Sequence, residues 1–345
     1  MDNSKKNRIL TLFGSGETSP HMAKNYRKII DDLDFIPKKN ILLDTPFGFQ
    51  ENNDVLSEKI QDYFSKKINL NLKNLNFKNE ESFHDNFNDI ISEADFIFSG
   101  PGSPTYASEI WLKYNFDKLL KNKLNNGVVM AFASAAALTL GSYVIPVYEI
   151  YKVGENKKLC KGLDILDFLG KKTVIVPHFN NQEGGDHDTS YCFIGKKRFQ
   201  NLIKELDVIT IGIDEHTSLT FDLESSLLDV KGLGNVYFES NEGAFCIKNG
   251  ERMNIEKINS NYTPKTASTK KNKIVKEDSV KEDSVKEDSV KEDSVNLNIS
   301  DLINIRKIAR SSKMYEISDN IRDILISKGI EIEDKDNNTV WKKLD

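Results

Sequence analysis

The feature that most constrains this chain is a series of short apolar runs separated by helix-length stretches. Ile9–Phe13, Ile41–Leu43, Phe96–Phe98, Val128–Phe132, Val174–Val176 and Val208–Ile213 are mostly bounded by Gly, Pro or Asp. A strand exposed on one face alternates apolar with polar, so a run that is apolar at nearly every position has both faces buried. Between many of these runs lie Met22–Ile30, Asp54–Phe64, Thr105–Lys113 and Phe199–Leu206, patterned as helices. Such alternation predicts a three-layer α/β fold around a mostly parallel sheet. After Asp214 the runs shorten to Ser218–Asp222, Leu227–Lys231, Asn235–Glu239 and Gly243–Ile247, punctuated by Gly232 and Gly234. These predict an antiparallel extension at one sheet edge.

The pattern stops before the chain does. Val275–Val295 repeats a five-residue KEDSV unit four times, and Asn259–Lys273 is rich in Asn, Thr, Ser and Lys. A period of five matches neither 3.6 nor 2, so the valines gather on no face that could offset the entropy of ordering. The expected organisation is a folded domain over 1–257, a disordered charged linker over 258–297 and a small tail over 298–345. In the tail, Leu302, Ile305, Ile308 and Ala309 share one helical face, and Ile317, Ile321, Ile324 and Leu325 share another. They predict a helical hairpin ended by Gly329, then a strand-like Ile330–Glu333.

At 345 residues the chain has room for two domains of about 150 residues each. Forty-eight Lys and Arg against 53 Asp and Glu leave a net charge of −5, so the chain as a whole has no basic footprint for nucleic acid or an anionic membrane. Cys160, Cys192 and Cys246 are odd in number and far apart, with no CxxC spacing, so neither a disulfide framework nor a thiolate metal site is expected. No apolar stretch reaches membrane-spanning length, and the N-terminus reads as a strand and turn rather than a signal peptide. The expected location is the cytoplasm, with no membrane partner.

In α/β folds reactive groups collect beyond the carboxyl ends of strands. Four segments carry unusual residues there. Val128–Ala133 runs into Ser134 and then Ala135-Ala136-Ala137. Small residues around a Ser at a strand-to-helix turn suit a nucleophile elbow, although Phe132 stands where a GxSxG motif has Gly. An N-cap role for Ser134 is the other reading. Thr173–Pro177 leads into His178, a candidate general base or a structural histidine. Asp95–Ser99 leads into Gly100-Pro101-Gly102, a turn able to aim the Gly102 N–H at an oxyanion, or an ordinary tight turn before a helix. Leu12–Ser19 holds Gly14 and Gly16 but neither GxGxxG nor a P-loop, which disfavours a nucleotide cofactor. Glu183, Asp186, His187, Asp188, Asp214, Glu215 and His216 are metal-capable and, with His178, could hold a divalent ion, but no HExxH-type spacing supports it.

Together these segments resemble the serine peptidase family that contains dipeptidase E and cyanophycinase. The pieces are LFGSGE (12–17), FIFSGPGSPTYA (96–107), AFASAAALTLG (131–141), VPHFNNQEGGDHD (176–188) and GIDEHTSL (212–219). The resemblance implies the class I glutamine amidotransferase-like fold, no cofactor, and a triad of Ser134 as nucleophile, His178 as base and Glu149 as the acid that orients it. It also implies Gly102 and Ala135 as oxyanion donors. Ser103, Thr105, Tyr106, Asn180, Asn181 and His187 then fall where substrate would bind. Gly100-Pro101-Gly102-Ser103 departs from the family's usual loop, as Ala136 departs from its Gly after the Ser-Ala pair. The loop residues point to a specificity other than aspartyl dipeptides or cyanophycin.

The tail, about 299–345, resembles the C-terminal end of bacterial cysteinyl-tRNA synthetases in Arg306–Arg310, Ser318–Leu325, Gly329–Asp334 and Asn338–Lys342. No synthetase ATP signature is present, so aminoacylation by this chain alone is not expected, and the balanced charge of the segment favours weak RNA binding at most. The leading expectation is a serine peptidase or amidase acting on a small peptide or amide. Its rivals are an inactive tRNA- or synthetase-associated binding protein and a metal-assisted hydrolase using His178, His187 and His216. A tRNA or protein partner at the tail, and a homodimer, complete the expected partners.

Overall fold

The structure is a computed structural model that describes residues 7–258 and, in the tail, Arg306, Ile321, Arg322, Leu325 and the strands Ile330–Lys335 and Asn338–Lys343. The chain divides into two units, Met1–Thr269 and Lys270–Asp345.

In chain order the first unit begins with β1 (Arg8–Phe13), α1 (Met22–Asp31), β2 (Asn40–Leu43), α2 (Asn53–Tyr63), β3 (Lys73–Asn74), α3 (Phe87–Ser92) and β4 (Phe96–Ser99). It continues through α4 (Pro104–Lys113), α5 (Phe116–Asn126), β5 (Val128–Ala133), α6 (Ala135–Thr139), β6 (Tyr143–Val144), α7 (Val147–Tyr151), β7 (Cys160–Lys161) and β8 (Lys172–Val176). It ends with α8 (Lys196–Ile203), β9 (Val208–Ile213), β10 (Thr217–Asp222), β11 (Leu227–Gly232), β12 (Val236–Ser240), β13 (Gly243–Ile247) and β14 (Arg252–Asn254). Every strand expected from an apolar run is present, within about two residues at each end.

The strands form two sheets. One has the order β14-β11-β10-β1-β5-β4-β2-β3, the other β13-β12-β9-β8-β6-β7. Strands β1, β5, β4, β2 and β3 are parallel, as are β9, β8 and β6. Antiparallel strands close each sheet, β10, β11 and β14 on the first and β12, β13 and β7 on the second. The antiparallel run expected at one edge is therefore shared between two sheets. The chain leaves β9 through a sharp turn at Asp214–His216, where His216 is left-handed (φ +53°), and β10 pairs with β1. It returns after β11, where the Asn235 N–H donates to Asp214 Oδ2 at 2.8 Å and the Asp214 N–H to the Asn235 carbonyl at 3.1 Å.

Strand alternation divides the apolar residues into layers. Phe13, Val129, Ala131 and Ala133 join Met22 and Tyr26 of α1 and Ile60 of α2 on one face of the first sheet. Leu10, Leu12, Met130 and Phe132 face the other way, into a core shared with Trp111, Leu120 and the second sheet's Ile175, Ile209 and Ile211. Val174, Val176 and Val208 form the third layer with Phe199 of α8. Each fully buried Leu, Ile or Phe contributes roughly 1.5–3 kcal/mol. A one-residue slip of β5 would exchange its two faces, so this burial also fixes the register that places its last residue.

The charged linker lies outside the described residues except for Ile258, which is buried in the shared core. Of the tail's expected helical hairpin, Arg306, Ile321, Arg322 and Leu325 are helical and the rest lies outside the described residues. The strand-like Ile330–Glu333 is one arm of an antiparallel hairpin, β15 (Ile330–Lys335) with β16 (Asn338–Lys343). Among the described residues no helix is long and apolar enough to cross a membrane.

Candidate active site

The carboxyl ends of β1, β5, β8 and β9 converge. Strand β5 is buried at all six positions and delivers the chain to Ser134. Ser134 has φ +50° and ψ −118°, a strained backbone for a residue with a Cβ, costing about 1–3 kcal/mol. The surroundings hold it there: its N–H donates to the Phe13 carbonyl at 3.2 Å, and its carbonyl accepts the Leu138 N–H at 3.1 Å as α6 begins. The Ala136 N–H donates to the Gly100 carbonyl at 3.2 Å, and Ala136 is fully buried, so a larger side chain would not fit. Ser134 occupies the N-cap position of α6 but makes no capping bond with its side chain. Its Oγ lies 2.9 Å from His178 Nε2.

His178 also has a left-handed backbone, φ +50°, and its N–H donates to the Gly14 carbonyl at 3.1 Å. Its Nδ1 lies 3.0 Å from Glu215 Oε1, and Asn181 Nδ2 donates to that same oxygen at 2.9 Å. The Glu215 N–H donates to Asn180 Oδ1 at 2.8 Å. The hydrogen bond from His178 holds the Glu215 carboxyl below its ordinary range, burial works against this, and the Asn181 bond adds to it. An ionised Glu215 can only accept, so Nδ1 carries the proton and Nε2 is left to accept the Ser134 O–H.

The structure does not bring the expected acid to His178. Glu149 sits on α7, its Oε1 is 3.6 Å from Lys157 Nζ, and its Oε2 is buried without a hydrogen-bond partner. The carboxylate on His178 is Glu215. The sequence offered Glu215 as one of a run of metal-capable residues, which concealed its relation to His178. That relation comes from pairing: β8 and β9 are parallel neighbours with Val176 opposite Gly212, so the residues just beyond them meet.

Gly102 and Ala135 line one cleft with Ser134 and His178, a cavity of about 240 Å³. Gly102 has φ +144°, and a Cβ there would lie 2.0 Å from the Pro46 carbonyl oxygen, so backbone approach requires glycine. Three expected substrate contacts are engaged within the protein. Ser103 caps α4, accepting the Tyr106 N–H at 3.3 Å; Thr105 is buried; Tyr106 Oη donates to the Lys78 carbonyl at 2.9 Å. Asn180 and Asn181 bond to Glu215, and the exposed His187 stacks on Tyr151 at 6.2 Å between ring centroids. His178, His187 and His216 do not form a ligand set, because among the described residues no three His, Cys, Asp or Glu side chains group around one point.

The Gly-rich turn after β1 serves close packing. A Cβ on Gly14 would lie 2.0 Å from the Asp214 carbonyl oxygen, so this turn abuts the one that carries Glu215. Glu17, at its end, is buried, and burial pushes its carboxyl above the ordinary range against the opposing pull of its own backbone N–H and of His178. Burial likewise raises the Cys192 thiol well above its ordinary value, which leaves it a poor nucleophile although it lines the cleft.

The chain is similar to several known proteins. A peptidase from an acI-B1 Actinobacterium superimposes with a TM-score of 0.60 at 20% identity, over 72% of this chain and 98% of that one. A putative Peptidase E protein from Listeria monocytogenes EGD-e gives a TM-score of 0.46 at 16% identity, over 67% and 100%. A 45-residue stretch is 47% identical to the cysteine–tRNA ligase of Pelagibacter ubique (strain HTCC1062), covering 13% of this chain and 10% of the ligase. A 43-residue stretch is 40% identical to that of Thermoplasma acidophilum, covering 12% and 10%. The chain thus spans about a tenth of the length of these ligases. The sequence profile of peptidase family S51 matches residues 10–227, well over half of the chain, and the chain therefore belongs to peptidase family S51.

Proposed function

We propose that this peptidase is serine-type, that it cleaves a small peptide or amide, and that it works through an acyl-enzyme. The observation that carries the reading is the continuous chain of contacts Ser134 Oγ to His178 Nε2, 2.9 Å, and His178 Nδ1 to Glu215 Oε1, 3.0 Å, built on a strained Ser134 backbone. Ser134 Oγ attacks the scissile carbonyl while His178 Nε2 takes its proton. Glu215 stabilises the imidazolium and keeps the ring in the required orientation. The carbonyl oxygen gains the negative charge, and the backbone N–H groups of Gly102 and Ala135 are the donors suited to it. Collapse breaks the amide bond, His178 returns the proton to the leaving amine, and the acyl group stays on Ser134. Water, deprotonated by His178, then releases the acid and restores Ser134.

The test is covalent labelling by a fluorophosphonate. Wild-type protein should be labelled at Ser134, and Ser134→Ala should lose the label together with hydrolysis by about 10⁶-fold. Labelling elsewhere, or unchanged hydrolysis by Ser134→Ala, overturns the reading. A second reading, that the tail recruits tRNA, rests on the short identity to cysteine–tRNA ligases. A salt-dependent gel shift with tRNA, lost on truncation at about residue 297, would support it, and no shift at low salt would count against it.

A further inference from the structure

Beside Ser134 the cleft is walled by aromatic and aliphatic groups. Three consecutive residues, Tyr191, Cys192 and Phe193, have φ of +53°, +58° and +68°. Left-handed backbone is unusual for a single non-glycine residue, and three in succession persist only where the surroundings enforce them. The Tyr191 N–H donates to the Phe179 carbonyl at 3.0 Å, the Cys192 N–H to the His178 carbonyl at 3.3 Å, and the Phe193 N–H to the Thr189 carbonyl at 2.9 Å. Tyr191 packs into the core, while Cys192 and Phe193 line the cleft. Its ring lies 5.0 Å from the His178 ring and 5.7 Å from that of Tyr151.

Facing it are Val147, Tyr148 and Tyr151 of α7, with Leu138 of α6. Lys152 and Glu183 are the charged residues among the described residues that line the cleft, apart from the His178 site itself. Both are exposed, and Lys152 Nζ rests 4.6 Å from the centre of the Tyr151 ring.

We propose that this cleft is a specificity pocket for an uncharged apolar or aromatic side chain adjoining the scissile amide, so that the substrates are peptides or amides of residues such as Phe, Tyr or Leu and not of Asp or Glu. The proposal rests on the serine-peptidase reading of the same site. A bound carboxylate side chain would lose its hydration and needs a cation inside the pocket. The cation here, Lys152, is exposed to solvent and lies over the Tyr151 ring. Size agrees as well: an apolar cavity of about 150 Å³ takes up benzene, and this one, at about 240 Å³, has room for one aromatic side chain.

The experiment pairs fluorophosphonate labelling of the full chain with hydrolysis of anilides of Phe, Leu, Ala, Asp and Arg. Phe and Leu should exceed Ala by about tenfold or more in kcat/KM, and Asp by a larger factor. Phe193→Ala should lower the Phe-to-Ala ratio about tenfold, and Tyr151→Lys should raise Asp relative to Phe. Should either variant misfold, Phe193→Leu, expected to keep a preference for Leu over Asp, decides with the wild-type panel. Labelled Ser134 with a preference for Asp or Arg, or with a flat profile, overturns the pocket alone. No labelling and no hydrolysis across the panel overturns the serine-peptidase reading and the pocket with it.

Discussion

Two segments near the same cleft each carry a glutamate, and they do different work. Val147–Tyr151 is a short helix after β6 whose Val147, Tyr148 and Tyr151 form a wall while Glu149 pairs with Lys157. Asp214–His216 is a turn after β9 that gives no wall but sets Glu215 on His178. The difference lies in what holds each one. Strand β9 is hydrogen-bonded along its length to β8, so the turn beyond it is in register with His178. Strand β6 meets β8 through one residue pair, Tyr143 with Val174, and α7 is free to pack by its apolar face. The carboxylate that reaches the His178 imidazole rides on the strand paired next to it.

The sharpest way to break this comparison is to neutralise each glutamate in turn. Glu215→Gln keeps the shape but replaces the acceptor-only carboxylate with a neutral amide that no longer fixes the His178 tautomer, and should lower kcat by about 10³–10⁴-fold. Glu149→Gln removes a half-exposed ion pair of the sort worth about 0–1 kcal/mol and should leave kcat within severalfold. Equal losses from both would erase the distinction. The readout is the rate of fluorophosphonate labelling, or hydrolysis of an anilide once one is found.

A smaller effect is expected one contact further out. Asn181 is buried and donates to the carboxylate oxygen that His178 uses. Hydrogen bonds to charged groups are worth about 1.5–3 kcal/mol, so Asn181→Ala should slow labelling roughly 10-fold or more, while Asn180→Ala, at an exposed side chain, should cost less. A reversed order would place the support of Glu215 in the backbone contact and not in the side chain.

The Gly14 site sharpens the comparison structurally. Gly14→Ala sets a methyl against the Asp214 carbonyl, 2.0 Å away before any shift. Overpacking of this kind costs about 1–3 kcal/mol, and the turn that must yield is the one carrying Glu215. Thermal unfolding should show a lower Tm, and labelling should fall with it.

How much of this the sequence discloses depends on whether the information is local. The nearly continuous apolar runs of β1, β5 and β9 identify the strands, because burial on both faces leaves a pattern in the run itself. Ser134 and His178 are legible for the same reason, each standing just past such a run. Glu215 also stands past one, within GIDEHTSL, but its role depends on β8 and β9 being neighbours, and a run of apolar residues does not say which strand it pairs with. The two-residue strands β3, β6 and β7 leave no periodicity to read. The split of the late strands between two sheets turns on Asp214–His216, where the left-handed residue is a histidine and not the glycine that would mark such a turn.

The smallest effect is in stability against pH, and here neighbouring residues run in opposite directions. Glu215 is held below its ordinary value of 4.5 by the His178 hydrogen bond, so its contribution is present above about that value and is lost as pH falls through the lowered one. Asp214, raised by burial from 3.8, contributes below its ordinary value, and that contribution fades as pH rises through the raised one. Glu215→Gln should therefore destabilise the protein near pH 6 and lose that deficit on acidification below 4.5, bringing its Tm toward that of wild type. Asp214→Asn should close its own gap in the other direction, gaining on wild type as pH rises. Paired melting curves at pH 3, 4, 5 and 6 separate the two, and parallel curves for Glu215→Gln and wild type would mean that the His178 bond does not hold the carboxylate ionised.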